Sequence, residues 1–164
     1  MPNSAPLSAF ADRRTCIHNG APIDHYTHLG FDLASLKLAA VPAAAAGRVA
    51  FVGPLGIYGT AVVLDHGLGL FTLYGHLSST AVAQGASVGR GDTIGKTGDT
   101  GLAGGDHLHF SVMVRGIHVD PVEWWDTHWI TDHVDARIAE FPRAGAGGTA
   151  PTTPAAVAPS DKPA

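Results

Sequence analysis

Tyr58-Gly59-Thr60-Ala61-Val62-Val63-Leu64-Asp65-His66-Gly67-Leu68-Gly69-Leu70-Phe71-Thr72-Leu73-Tyr74 contains two short apolar runs broken by a glycine-punctuated turn. Each run is too short for a packed helix and is carried by β-branched, leucine and aromatic residues, so each reads as a strand. Upstream, Gly47-Arg48-Val49-Ala50-Phe51-Val52-Gly53 reads the same way, and so does the stretch from His107 to Val114 downstream. Arg115-Gly116 then turns into Ile117-His118-Val119, a hairpin signal. Gln84 to Gly95 reads as a further compact hairpin turned by glycines. Short strands at this spacing predict a mainly β, closed or sandwiched, antiparallel architecture. One short C-terminal helix is expected near 121–130. Asp120-Pro121-Val122-Glu123 supplies its cap, its first-position proline and its third-position glutamate. Trp124, Trp125 and Trp129 follow and read as packing against the sheet.

Composition narrows the function. The chain has 164 residues, 45% of them hydrophobic and 15% charged, which suits one domain with a real core. Ten Lys and Arg against 14 Asp and Glu leave a net charge of −4, so binding nucleic acid by phosphate neutralisation is excluded. The 21 glycines and 11 prolines argue against a helical bundle. A single cysteine, Cys16, leaves no internal disulfide. No apolar run is long enough to span a membrane, and Met1-Pro2-Asn3-Ser4-Ala5-Pro6 does not read as a signal peptide. Residues 1–10 are expected to be loose. The folded unit is expected over 11–141, followed by a disordered Ala/Pro/Gly-rich tail over 142–164.

Ten histidines are the feature that asks for a chemical explanation. Three segments carry the informative ones: His28-Leu29-Gly30-Phe31-Asp32, Tyr74-Gly75-His76-Leu77 and His107-Leu108-His109-Phe110. On a strand His107 and His109 face the same way, about 6.6 Å apart at Cα, while Leu108 and Phe110 face the other way. His28 and Asp32 would lie about 13 Å apart if extended, but Gly30 allows a bend between them. A histidine of the His-x-His pair added to His28 and Asp32 makes a 2-His-1-carboxylate set suited to zinc. The remaining imidazoles are then free for proton transfer. No His-Glu-x-x-His occurs, and both glutamates, Glu123 and Glu140, lie beyond every motif.

These three segments, in this order and spacing, resemble the signature motifs of the lysostaphin-type or LytM-like peptidases, the M23 metallopeptidases, over about residues 13–121. The resemblance implies a zinc endopeptidase that cuts peptide cross-links of peptidoglycan. It also implies an antiparallel, barrel-sandwich-hybrid-like sheet lining a groove, and a periplasmic, cell-envelope or extracellular location. By that similarity His28, Asp32 and His109 hold one zinc ion and His107 is the general base. His76 binds water or stabilises the transition state. Tyr58, Tyr74 and Thr60 are candidates for the substrate groove. The chain departs from the family pattern at Tyr58-Gly59-Thr60, where relatives often have Asn after the glycine, and at Asp106, where proline is frequent.

Two other functions compete. One is a non-catalytic wall-binding or hydrolase-activating module of the same fold, which is expected to have lost ligands or bases. The other is a biotinyl- or lipoyl-type carrier, suggested by Val88 to Gly95, in which Lys96 is the only nearby lysine. His18, His25, His118, His128 and His133 read as surface or capping residues, and His66 as structural.

Overall fold

In the computed structural model, which describes residues 1 and 3–140, the backbone runs through β1 (Ala5–Ser8), β2 (Arg13–His18), β3 (Ala21–Thr27), β4 (Phe31–Ala34), β5 (Ala40–Pro42) and β6 (Gly47–Pro54). A single 3₁₀ turn, Gly56–Tyr58, leads into β7 (Thr60–Asp65) and β8 (Leu70–Gly75). The chain continues through β9 (Ser79–Thr80), β10 (Ser87–Val88), β11 (Thr93–Lys96), β12 (Leu108–Val114) and β13 (Ile117–Val119). The main antiparallel sheet has the order β1-β4-β12-β8-β7-β6-β10. β12 shares one edge between two partners: its residues Leu108–Phe110 pair with β4 and Val112–Val114 with β13. A small sheet, β5-β11-β9, and the β2–β3 hairpin complete the fold.

Strand alternation divides β12 into two faces. Leu108, Phe110 and Val112 join Val62, Leu64 and Tyr74 of the main sheet and Val41 and Ile94 of the small sheet in one buried cluster. Val62, Leu64 and Ile94 are wholly buried, and each such side chain contributes about 1.5–3 kcal/mol. His109 and Ser111 alternate onto the opposite face. The strand runs expected around 47–53, 58–74 and 107–119 are therefore present. Arg115 and Gly116 form the β12–β13 turn with positive φ at both positions (52° and 83°), which gives the two-residue hairpin its twist.

Several expectations are corrected. The first ten residues are not loose throughout, because β1 pairs with β4 in the register Ala5↔Ala34 and Ser8↔Asp32. The open edge of β4 offers unpaired backbone groups, and a segment with Pro6 can still serve as an edge strand. Gln84–Gly95 is not a hairpin: β10 pairs with β6, whereas β11 pairs with β5 and β9. The turn between them is held by Asp92, whose carboxylate accepts from Gly89 N–H at 2.7 Å, and it carries the chain from one sheet to the other. Lys96 lies inside β11 opposite Ala40 and Ser79, not at a tip, which removes the carrier reading.

The helix starts later than expected. Asp120 accepts from Val122 N–H at 3.0 Å, but the segment it opens stays a run of turns as far as Asp126. Asp126 is extended and caps α1 (Thr127–Ile130) with its own carboxylate, which interrupts the helix that Asp120 began. A wider turn at Thr131–Asp135 then leads into α2 (Ala136–Glu140). Trp125 stacks on Phe110 with ring centroids 5.6 Å apart, and Trp124 packs against the core, as expected for tryptophans covering the sheet. The tail expected over 142–164 lies outside the described residues.

Tyr74 belongs to this core and not to a groove. It is 1% exposed, meets Phe110 edge to face, and its hydroxyl oxygen accepts from Ala44 N–H at 2.9 Å. Tyr74→Phe is expected to lower stability by about 0.5–1.5 kcal/mol, the net worth of the hydroxyl's hydrogen bond. Urea denaturation measures it, and zinc content should stay at the wild-type level.

Candidate active site

The register of the main sheet builds the centre of the site. His109 on β12 stands opposite Asp32 on β4 and opposite Gly75 on β8. Glycine at position 75 lets the Tyr58 backbone and Cβ pack closely against β8, since an added Cβ there would lie 3.3 Å from Tyr58 Cβ and from the Tyr58 carbonyl. His28 precedes β4, and the bend at Gly30 returns its ring onto Asp32. Only glycine fits that bend: a Cβ at Gly30 would sit 2.5 Å from two atoms of the His109 ring and 2.6 Å from the Phe110 carbonyl. The three groups converge. His28 Nε2 is 3.0 Å from Asp32 Oδ1 and 3.0 Å from His109 Nδ1, and His109 Nδ1 is 2.9 Å from Asp32 Oδ1.

The outer partners determine what those atoms present. His28 Nδ1–H donates to the Ala9 carbonyl at 2.8 Å, so in the neutral ring Nε2 carries a bare lone pair. Ser111 donates its hydroxyl to the Leu29 carbonyl at 2.8 Å, so its oxygen accepts from His109 Nε2–H at 2.9 Å. His109 Nδ1 is then bare as well. Three lone pairs point at one another in a buried place, an arrangement that a cation held between them would relieve. Zinc bonds of about 2.0–2.2 Å place tetrahedral donors about 3.3–3.6 Å apart, so a spread of a few tenths of an ångström accommodates the ion. Imidazole, imidazole and carboxylate is also a donor set that zinc accepts, and the second nitrogen of each ring is held as second-shell partners hold zinc ligands.

Asp32 is charged in this setting. Burial works against ionisation, but wherever a facing ring nitrogen carries a proton the hydrogen bonds from His109 and His28, together with that from Arg14, outweigh it and hold the carboxyl below the usual carboxylate range. Arg14 Nη2 donates to Asp32 Oδ2 at 2.7 Å, which leaves Oδ1 for the centre. Burial lowers the His109 pKa, favouring the neutral ring that metal ligation needs.

His107 and His76 stand beside the centre. His107 Nδ1–H donates to the Gly105 carbonyl at 2.7 Å, and its Nε2 lies 3.7 Å from Asp32 Oδ1. His76 Nδ1–H donates to the Thr100 carbonyl at 2.8 Å. The two rings are 4.7 Å apart between centroids. Both therefore present an unprotonated Nε2 when neutral. His76 has a left-handed backbone (φ 59°), held by its N–H to the Tyr58 carbonyl at 2.7 Å. Burial pushes its pKa down to about 4, so it is neutral at pH 7.

All five motif residues are thus brought together, each between 3 and 7% exposed. Of the groove candidates only Tyr58 lines the adjoining cavity. This is a space of about 330 Å³ lined by Leu29, Ile57, Tyr58 and Leu102 and by Arg14 and Tyr26, reaching His28, His76 and His109. Thr60 is used through its backbone, with its N–H to Thr100 Oγ1 at 2.9 Å and its carbonyl to Leu77 N–H. Asp106, where relatives often have proline, ties down the segment before His107: it accepts from Thr97 Oγ1 at 2.6 Å and from Leu38 N–H at 3.1 Å. Sequence reasoning missed Arg14 and Ser111. Ser111 lies two residues beyond His109 on the same strand face, which was a usable signal, whereas Arg14 is 18 residues from Asp32 and gave none.

The sequence profile of peptidase family M23 matches residues 26–121, more than half of the chain and all three histidine segments. The chain belongs to peptidase family M23. Among curated M23 relatives, the DD-carboxypeptidase/endopeptidase Mpg of Neisseria meningitidis is 43% identical over 95 residues, which cover 58% of this chain and 22% of that protein. The chain thus spans about a fifth of that relative's length. The catalytic domain of the antimicrobial peptidase lysostaphin from Staphylococcus simulans superposes with a TM-score of 0.65 at 27% identity, covering 74% of this chain and 92% of that one. A zinc-containing peptidase from Vibrio cholerae superposes with a TM-score of 0.61 at 34% identity, covering 71% of this chain and 35% of that one.

Gly30→Ala is expected to displace the His109 ring and abolish stoichiometric metal binding, with zinc per chain read by elemental analysis. A second expectation concerns His76. Its pKa is lowered on folding from about 6.5, so the unfolded chain binds its proton first and stability falls as the pH drops from about 6.5 toward 4. In zinc-free protein, His76→Gln should remove that part of the loss, and urea unfolding at pH 7 and at pH 4.5 should show a smaller difference for the variant than for wild type.

Proposed function

We propose that the chain is a zinc-dependent endopeptidase hydrolysing the peptide cross-links of bacterial peptidoglycan, working in the cell envelope. The observation that carries this reading is the convergence of His28, Asp32 and His109 within 3.0 Å of one another with two further imidazoles, His76 and His107, beside them. His28, Asp32 and His109 hold the ion in this scheme. Zinc supplies Lewis acidity there, acidifying water and polarising the scissile carbonyl.

The chain's own residues handle the proton. His107, held by Gly105, offers Nε2 as the general base, and the imidazolium that forms is stabilised by Asp32 3.7 Å away. His76 in its neutral form accepts at Nε2 and does not donate there. This supports the water-orienting half of the role expected for it over direct stabilisation of an oxyanion. Tyr58 is half-buried with its ring 4.9 Å from that of His109, where it borders the space an extended peptide would enter. The apolar walls and the charged Arg14 give that space contacts for stem-peptide side chains and for a carboxylate. The name of the Neisseria relative, a DD-carboxypeptidase/endopeptidase, supports hydrolysis of a peptide bond within a chain. Among the described residues no helix is long and apolar enough to cross a membrane.

The test uses peptidoglycan of two cross-link types with released products identified by mass. His109→Ala should lose zinc and all cleavage. His107→Ala should keep zinc while turnover drops on the order of 10²–10⁴-fold, the usual cost of losing a general base. A wall-binding or activating module would instead retain its function in His107→Ala and release no peptides as wild type, which would overturn the peptidase reading.

A further inference from the structure

Both ends of the metal triangle are steadied by one short segment outside the family match. Ala9 supplies the carbonyl that fixes the His28 ring, and Ser8 Oγ accepts from the same Arg14 Nη2 that donates to Asp32, at 2.6 Å. What holds Ser8 and Ala9 in place is Asp12. Its Oδ2 accepts from Ser8 Oγ–H at 2.8 Å and from Ala9 N–H at 2.9 Å. The backbone of the same turn is laced to His28: His28 N–H donates to the Asp12 carbonyl at 2.8 Å, and Ala11 N–H to the His28 carbonyl at 2.9 Å. Ala11 adopts a left-handed φ of 65°, a conformation that a residue with a Cβ resists and that needs its neighbours to hold it.

We infer that Asp12 is a positioning residue for the metal centre, acting through Ala9 on His28 and through Ser8 and Arg14 on Asp32. It touches neither ligand with its side chain and is itself exposed, so its removal leaves the core untouched. The segment lies at the edge of the main sheet, where β1 is a four-residue strand with a register break between Pro6 and Ser8. Without the Asp12 carboxylate Ser8 keeps its bond from Arg14, but Ala9 N–H loses its side-chain acceptor, and the Ala9 carbonyl is held less firmly against His28 Nδ1. The bare lone pair at Nε2 then gives way to a mixture of ring tautomers, and metal affinity falls by the route through which outer partners act on ligands.

The inference rests on His28, Asp32 and His109 being the zinc ligands, and the experiment separates the two ideas. The full chain would be compared with Asp12→Ala, Asp12→Asn and, as a control, Asp92→Ala, which removes an exposed carboxylate capping its own turn. Zinc affinity is measured by competition with a chelator, and the His28 ring state by long-range proton–nitrogen NMR on zinc-free protein. Asp12→Ala should lose zinc affinity on the order of 10-fold or more and show averaged His28 tautomers, with a zinc-free melting temperature no lower than that of Asp92→Ala. Asp12→Asn, which keeps an acceptor oxygen, should recover most of the affinity and the Nδ1–H tautomer. Wild-type affinity and an unchanged His28 ring in Asp12→Ala would overturn the inference. So would a melting temperature below that of Asp92→Ala with no recovery in Asp12→Asn, since that marks a merely structural role. If wild type takes up no zinc while the His28 ring still responds to Asp12→Ala, the clamp stands and the zinc reading falls.

Discussion

Three acceptor atoms held within 3.0 Å of one another by groups that cannot relax is the constraint on which the rest of this structure depends. A carbonyl and a hydroxyl fix the second nitrogen of each imidazole, and Arg14 fixes the second oxygen of the carboxylate. Water could satisfy such groups individually at a surface, but here they are buried together, where unpaired lone pairs are costly. The fold tolerates this because two of the three sit in register on adjacent strands, and strands with one face packed into a core do not slip without exposing that core.

That coupling explains why so much of the sheet serves two purposes. Each residue of β12 facing the core has a neighbour facing the site, so Phe110 and His109 are placed by the same backbone hydrogen bonds. Phe31 opposite Phe110 and Asp32 opposite His109 repeat the arrangement on β4. Apolar packing thus fixes the polar geometry, and glycine at position 30 keeps the site face open where a side chain would collide with the His109 ring.

The strands and the five motif residues were legible in the sequence because both rest on local signals: period-two alternation, glycine punctuation and the parity of His107 and His109. What was not legible depended on contacts between distant segments. β1 becomes a strand only because β4 has an edge to fill, and β10 and β11 separate only because two different sheets compete for them. Tyr74 next to Gly75-His76 looked like a groove residue, yet strand parity turns it away from His109 and into the core. Arg14 had no motif to mark it, since its role comes from a hairpin that folds over Asp32. The helix start at Asp120 failed because a second capping aspartate, Asp126, lies six residues on, and local propensity does not decide between two adequate caps.

The histidines nearest the ligands are controlled by a different part of the chain. Asp32 and His109 lie within strands, whereas His76 follows β8 and His107 precedes β12, each one residue outside regular pairing. Both take their Nδ1–H acceptor, Thr100 or Gly105, from the single loop between β11 and β12. That loop is pinned at one end by Asp106 on Thr97. In its middle, Leu102 N–H bonds to the Ile57 carbonyl at 2.8 Å, and the backbone at Thr100 approaches Gly59 too closely for any Cβ there. Asp32 and His109 are thus set by sheet register and His76 and His107 by loop packing. Changes in the 97–106 loop can alter the orientation of His76 and His107 together without disturbing the strands that carry Asp32 and His109. Asp106 fits this division, since it anchors the loop through two hydrogen bonds, from Thr97 Oγ1 and Leu38 N–H.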